Sequence, residues 1–266
     1  MSPACPPAPA LALHGFTGGG ADFAPLTEAL PELTWQTPDL PGHAPDPTAP
    51  GAPGDDCRPA ACIQYLDTLP PTPSGTPAIL LGYSLGGRLA LRHALAHPGR
   101  WAALVLIATS PGVADPAERA ARQAADNRLA SDILTQGIPA FLEQWQRRPL
   151  IATQARLPAD WRAAMQDRRL RLRAAGLAAS LRQFGQGAVP PVWDRLPELR
   201  LPVLLVAGAE DPAYVALAEA MRDRLPSADL LIVPNAGHMA HLENLSAFVQ
   251  GLRRFLQAHG LISAKS

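Results

Sequence analysis

A parallel, doubly wound α/β sheet is the architecture this sequence predicts, on three observations. Short runs of Leu, Ile, Val and Ala, apolar throughout, recur at residues 10–13, 78–81, 102–107, 203–207 and 230–233, with a weaker one at 33–37. Runs without polar alternation suit strands covered on both faces. Segments of helical period lie between them, at 23–30, 62–69, 85–96, 217–225 and 248–259, and this repetition is the signature of parallel crossovers. From 111 to 190 the strand signal vanishes and helices follow one another, at 116–130, 138–145, 158–171 and 174–184. That block reads as a helical cap inserted after the strand ending near Ala108, with 1–110 and 191–266 forming the core of the same domain.

Taken in order, the first strand runs into the glycine-rich His14-Gly15-Phe16-Thr17-Gly18-Gly19-Gly20, and the stretch 38–59, rich in Pro and Gly, reads as a surface loop. The third run passes directly into Gly82-Tyr83-Ser84-Leu85-Gly86-Gly87 and then a helix. After the cap, one strand ends at Gly208-Ala209-Glu210-Asp211 and the next at Ala236-Gly237-His238. About six parallel strands are expected. No internal repeat and no linker separates them.

Composition narrows the function. Of 266 residues, 23 are Lys or Arg and 23 Asp or Glu, which excludes binding to nucleic acid through bulk charge. Three cysteines (Cys5, Cys57, Cys62) make no disulfide framework and no zinc spacing. The first ten residues lack the basic and apolar regions of a signal peptide, and the apolar runs are too short to span a bilayer. The expectation is a cytoplasmic protein, monomeric or weakly homo-oligomeric, without membrane insertion, cofactor or metal. Charge is uneven, however: residues 111–190 carry 12 Arg against 7 Asp and Glu. Lys265 is the only lysine, so the cations are almost all guanidinium groups.

The pattern G-x-S-x-G after a strand and before a helix is a nucleophile elbow, in which small residues allow a strained turn that lifts the Ser84 hydroxyl above the sheet edge. A glycine-rich turn with an N-capping serine is the plainer reading of the motif alone. A serine hydroxyl needs a base and an orienting carboxylate, in the chain order Ser, Asp, His. His238 is the expected proton carrier and Asp211 the orienter, with Glu210 as the rival acid. The backbone N–H groups of Phe16 and Leu85 are the expected oxyanion hole. The 14–20 loop lacks the Lys-Ser/Thr of a phosphate loop and the spacing of a dinucleotide site. His43, His93, His97, His241 and His259 are expected to be structural or solvated.

Together, Leu13-His14-Gly15-Phe16, Asp39-Leu40-Pro41-Gly42-His43, the elbow, Gly208 to Asp211 and Ala236-Gly237-His238 resemble the α/β-hydrolase fold over almost the whole chain. A narrower set looks like the 2-succinyl-6-hydroxy-2,4-cyclohexadiene-1-carboxylate synthases of menaquinone biosynthesis: Arg88 after the elbow, Ala120-Ala121-Arg122 before Asp126, Trp145 before Pro149, Gly176 to Arg182, and Gly185-Gln186-Gly187-Ala188 before Trp193. This resemblance implies a lyase that eliminates pyruvate from a tricarboxylate, with the serine–histidine pair as general base and no acyl-enzyme. By family position it implies Tyr83, Arg88, Arg122 and Trp145 as substrate-binding residues, and another contact among Arg168, Arg169, Arg171 and Arg173. Bidentate, always-charged arginines suit a polycarboxylate partner. The sequence departs from the family at Pro212-Ala213-Tyr214, where relatives often carry Lys-Phe, and at Gln146, where some carry a second aromatic. Two other readings use the same residues: a serine hydrolase acting on esters or carbon–carbon bonds, and a ligand-binding receptor on the same fold.

Overall fold

The computed structural model describes residues 7–69 and 77–263. Cys5 and Lys265, noted above, lie outside the described residues. Six parallel strands form one sheet: β1 (Ala8–Leu13), β2 (Leu33–Gln36), β3 (Ala78–Tyr83), β4 (Trp101–Ile107), β5 (Val203–Gly208) and β6 (Ala228–Val233), in the spatial order β2-β1-β3-β4-β5-β6. Because the chain starts in the middle and turns outward both ways, the switch in strand order falls between β1 and β3. Loops leaving the carboxyl ends of those two strands diverge there and leave a crevice, the usual ligand position in open α/β sheets.

The apolar runs are explained by two cores, one on each face. Ile79, Leu81, Val105, Ile107, Leu204 and Val206 point into one cluster. Their sequence neighbours Leu80, Leu104, Leu106, Val203 and Leu205 point into the other. Helices α1 (Ala24–Ala29), α2 (Pro59–Thr68) and α3 (Leu85–Ala96) connect the first four strands, and α1 and α3 fall on opposite faces. The edge strand β6 is only partly buried between Ala228 and Ile232, where Leu231 alone of its central pair packs with the first cluster.

Between β4 and β5 come α4 (Pro116–Gln146), α5 (Pro149–Ala152), a 3-10 turn (Thr153–Arg156), α6 (Ala159–Leu170) and α7 (Ala174–Phe184). Asp115 caps α4 by accepting the Glu118 N–H at 2.8 Å, with Pro116 at the first helical position. The two helices expected at 116–130 and 138–145 are the two arms of α4, separated by a kink at Gly137, whose φ 80 and ψ 172 are not helical; the first arm runs on through residues 131–136. Ile133, Phe141 and Leu142 of α4 meet Leu177 and Leu181 of α7 in a small core of their own. After β5 follow α8 (Pro212–Arg222), α9 (Ala240–Glu243) and α10 (Leu245–Ala258). Helix α10 begins three residues earlier than the periodicity suggests, because the Asn244 side chain accepts the Ala247 N–H. Helix α8 likewise starts early, at Pro212, directly after Asp211.

One expectation is corrected. The stretch 38–59 is not simply a surface loop: Leu40, His43, Ala44 and Cys57 are buried. The Leu40 N–H donates to His14 Nε2 at 2.9 Å, so this segment supports the loop that follows β1.

Candidate active site

Steric necessity builds the elbow. A side chain on Gly82 would lie 2.5 Å from the Gly86 carbonyl, and one on Gly86 would lie 2.2 Å from that of Leu13. Only glycine lets β3, α3 and β1 approach so closely. Ser84 itself sits at φ 52 and ψ −107, a strained conformation for a residue with a side chain. Its N–H donates to the Ile107 carbonyl at 2.9 Å, and Thr109 Oγ1 donates to its carbonyl at 2.8 Å. The turn is over-determined, and the hydroxyl is left facing the crevice.

Ser84 Oγ lies 3.1 Å from His238 Nε2, and His238 Nδ1 lies 2.8 Å from Asp211 Oδ2. With the carboxylate accepting at Nδ1, Nε2 is the lone-pair nitrogen toward the serine. His238 and Asp211 are 3% and 6% exposed. The rival Glu210 points elsewhere and accepts both Arg156 Nη1 and Nη2, at 2.8 and 2.7 Å. Among the described residues, the backbone N–H groups of Phe16 and Leu85 have no backbone acceptor. His14, buried and kept neutral by that burial, holds the loop of Phe16 by donating from Nδ1 to the Gly15 carbonyl at 2.8 Å while accepting from Leu40.

These groups open onto a cavity of about 690 Å³ that brings together Phe16, Tyr83, Ser84, Leu85, Arg88, Arg122, Trp145 and His238. Arg88 is 7% exposed. Burial lowers its pKa to about 10, Nη2 donates to the Phe184 carbonyl at 2.9 Å, and Nε has no partner. Arg122 has a side chain 45% exposed; Nε donates to Asp126 Oδ1 at 2.9 Å and Nη1 to Gln186 Oε1 at 3.3 Å. Trp145 meets Phe16 edge to face and Phe141 at a tilt, and its indole N–H is buried without an acceptor among the described residues. Tyr83 packs between the rings of His238 and His241, and burial pushes its phenol pKa up.

None of the four clustered arginines lines this cavity, although Arg169 lines a small pocket that adjoins it at Phe16, Tyr83 and Ile151. Arg168 pairs with Asp22, Arg171 with Asp167 and Arg173 with Asp55. Arg169 is buried and donates to Gln154 Oε1 at 2.8 Å, beside a separate cavity of about 410 Å³. Among the lining residues that sequence reasoning missed are Arg148, Gln186 and Tyr214. The Arg148 guanidinium lies 4.8 Å from the Trp145 ring centroid. Gln186 joins Arg122 to the Tyr214 hydroxyl, to which its Nε2 donates at 3.0 Å, and the Tyr214 ring lies 4.6 Å from that of His238. Gln186 stood in a quoted motif, but its bridging role rests on contacts 64 and 28 residues away in sequence, which no local pattern shows.

The chain is similar to known proteins over most of its length. The alpha/beta hydrolase family matches residues 10–250. The chain is 37% identical over 252 residues to a Bacillus subtilis (strain 168) protein provisionally named 2-succinyl-6-hydroxy-2,4-cyclohexadiene-1-carboxylate synthase, covering 92% of this chain and 88% of that one. It is 31% identical over 252 residues to the synthase of that name from Serratia proteamaculans (strain 568), covering 92% and 91%. The solved structure of MenH from S. aureus superimposes with a TM-score of 0.89 at 28% identity, over 97% of this chain and 96% of that one.

Proposed function

The chain belongs to the alpha/beta hydrolase family and, within it, to the 2-succinyl-6-hydroxy-2,4-cyclohexadiene-1-carboxylate synthases, and from that premise we propose how it works. It is an enzyme of menaquinone biosynthesis, a carbon–oxygen lyase that converts 2-succinyl-5-enolpyruvyl-6-hydroxy-3-cyclohexene-1-carboxylate to the cyclohexadiene and pyruvate. The observation that carries this reading is an aligned serine–histidine–aspartate relay opening onto a cavity walled by Arg88, Arg122 and Arg148. A hydrolase of neutral esters has no use for three guanidinium groups there, whereas a tricarboxylate does.

In this reading His238 takes the Ser84 proton, and Ser84 Oγ removes the ring proton next to the succinyl ketone. The freed pair forms the first new ring double bond, the old ring double bond shifts by one position, and the carbon–oxygen bond to the enolpyruvyl group breaks. Enolpyruvate leaves and is protonated on carbon to give pyruvate, so the proton removed from the ring is balanced by the one delivered. The Phe16 and Leu85 amides hold the ketone oxygen while it carries enolate charge. Asp211 keeps the imidazole in the working tautomer and stabilises its charged form. Arg88, Arg122 and Trp145 hold the substrate, and Tyr83 flanks the base.

Pyruvate release coupled to a dehydrogenase, on presenting the enolpyruvyl cyclohexene, tests this directly. Efficient turnover without burst labelling of Ser84 is expected. Efficient p-nitrophenyl ester hydrolysis with a stoichiometric burst, and no pyruvate, would instead make the protein a serine hydrolase.

A further inference from the structure

The loop carrying His238 is held by a side chain that belongs to neither the relay nor the cavity wall. Glu243, in α9, has a side chain only 1% exposed. Its Oε2 accepts the Gly237 N–H at 2.7 Å and its Oε1 the Met239 N–H at 3.1 Å, from the two residues on either side of His238. The same carboxylate also faces the helical segment between β4 and β5. Thr153 Oγ1 donates to Oε1 at 2.9 Å, and Arg156 Nη2 approaches Oε2 at 3.4 Å. Arg156 in turn grips Glu210, the residue before Asp211. Thr153 follows directly on α5, whose Pro149, Leu150 and Ile151 line the active-site cavity. The contact is flush: a side chain on Gly237 would lie 2.5 Å from Thr153 Oγ1.

We infer that Glu243 is a positioning residue that couples the cavity wall to the relay: Thr153 and Arg156 fix where α5 sits relative to the loops of His238 and Asp211, and the carboxylate transmits that seating to the imidazole. A buried carboxylate accepting two peptide N–H groups is a stiff support, because breaking either bond strands a donor away from water. Two further donors from the wall segment occupy it, so a shift of α5 as substrate fills or leaves the cavity is felt at the His238 backbone. A misplacement of about 1 Å at a reacting group can cost on the order of 10²-fold in rate. The inference rests on the relay reading of Ser84, His238 and Asp211, but not on the identity of the substrate.

The test removes the wall's hold and leaves Glu243 on its two peptide groups. The double variant Thr153→Val/Arg156→Ala is expected to lose roughly 10-fold or more in kcat. KM should change by less than about 3-fold, and labelling of Ser84 by a fluorophosphonate should slow in parallel. Thr153→Ser, which keeps the hydroxyl, should stay near wild type, and Gly237→Ala, which pushes Thr153 away, should behave like the double variant. Glu243→Gln should show the largest kcat loss; if it fails to fold, the double variant and Gly237→Ala still decide. Wild-type kcat and labelling in the double variant would overturn the inference, as would a loss confined to KM or one that follows Tm alone. If the wild type labels at Ser84 but releases no pyruvate, the proposed substrate fails, and the labelling rates of the variants still test the coupling.

Discussion

The loops at the strand ends and the helices above them hold their functional groups by different means. Ser84 is fixed by backbone: glycines at 82 and 86 with no room for a side chain, a positive φ, and hydrogen bonds to both of its peptide groups. The helical segment fixes its cations by side-chain pairing: Arg147–Glu143 and Arg171–Asp167 pair within it, and Arg156–Glu210, Arg168–Asp22 and Arg173–Asp55 set part of its positive excess against acids outside it. Of the arginines that line the cavity, Arg88 comes from α3 of the core and only Arg122 and Arg148 come from α4 and its end. A regional charge count therefore overstates how much positive charge meets the ligand.

Replacing Ser84 or His238 by alanine breaks the comparison at its rigid side. Either substitution should leave the fold intact, because each shortens a side chain that lines the cavity, and should lower kcat on the order of 10³-fold or more. Steady-state pyruvate release with a thermal melt as control checks it, and near-wild-type turnover in either variant would reassign the base. Asp211→Asn should lose less than these but far more than Glu210→Gln, since among the described residues the Glu210 carboxylate bonds to Arg156 alone.

That contrast also explains what could be read in advance. The relay was legible because each member ends an apolar run, and a strained elbow admits few residue types. Six strands were legible because both faces of the sheet are covered. The substrate wall was less so, since helical period places Arg168, Arg169 and Arg171 at the end of a helix and Arg173 just beyond it, but does not say which guanidinium meets an acid on a distant loop. Arg168 meets Asp22 and Arg173 meets Asp55 through contacts more than a hundred residues apart in sequence. Glu243 was overlooked for a related reason: nothing in a Glu five residues after His238 signals that two peptide groups and a threonine converge on it.

The arginines sharpen the comparison further. Arg88 is buried with an unpartnered Nε and meets no carboxylate within ion-pair distance among the described residues. Loss of a charged hydrogen bond from such a site costs roughly 2 to 5 kcal/mol, so Arg88→Ala should lower kcat/KM by about 30-fold or more. Lysine should rescue it only in part, keeping the charge but losing the planar fork. Arg122 is half-exposed and already held by Asp126 and Gln186, so its alanine variant should lose less, about 3-fold to 30-fold, mostly in KM. Equal losses would mean that burial does not set the strength of these contacts.

The smallest effect concerns a residue close to the relay that is expected to take no part in it. His241 is buried among Tyr83, Phe23 and Phe248, with Nδ1 unpaired, and burial together with the neighbouring His238 lowers its pKa to about 3. Its unfolded value is near 6.5, so between these limits the unfolded chain binds a proton that the folded chain refuses. Stability therefore falls as pH drops below about 6.5, and this group's share of the slope ends near pH 3. His43, lowered to about 3, and His93, lowered to about 4, act with the same sign. His241→Phe suits the aromatic surroundings and removes one titrating group, so the acid limb of stability should flatten by one proton while stability at pH 8 and kcat change little. Denaturant melts from pH 4 to 8 check the slope. An unchanged slope would show that His241 is protonated in the folded state, and a large loss of kcat would mean that the support beneath Tyr83 and His238 is part of what aligns the base.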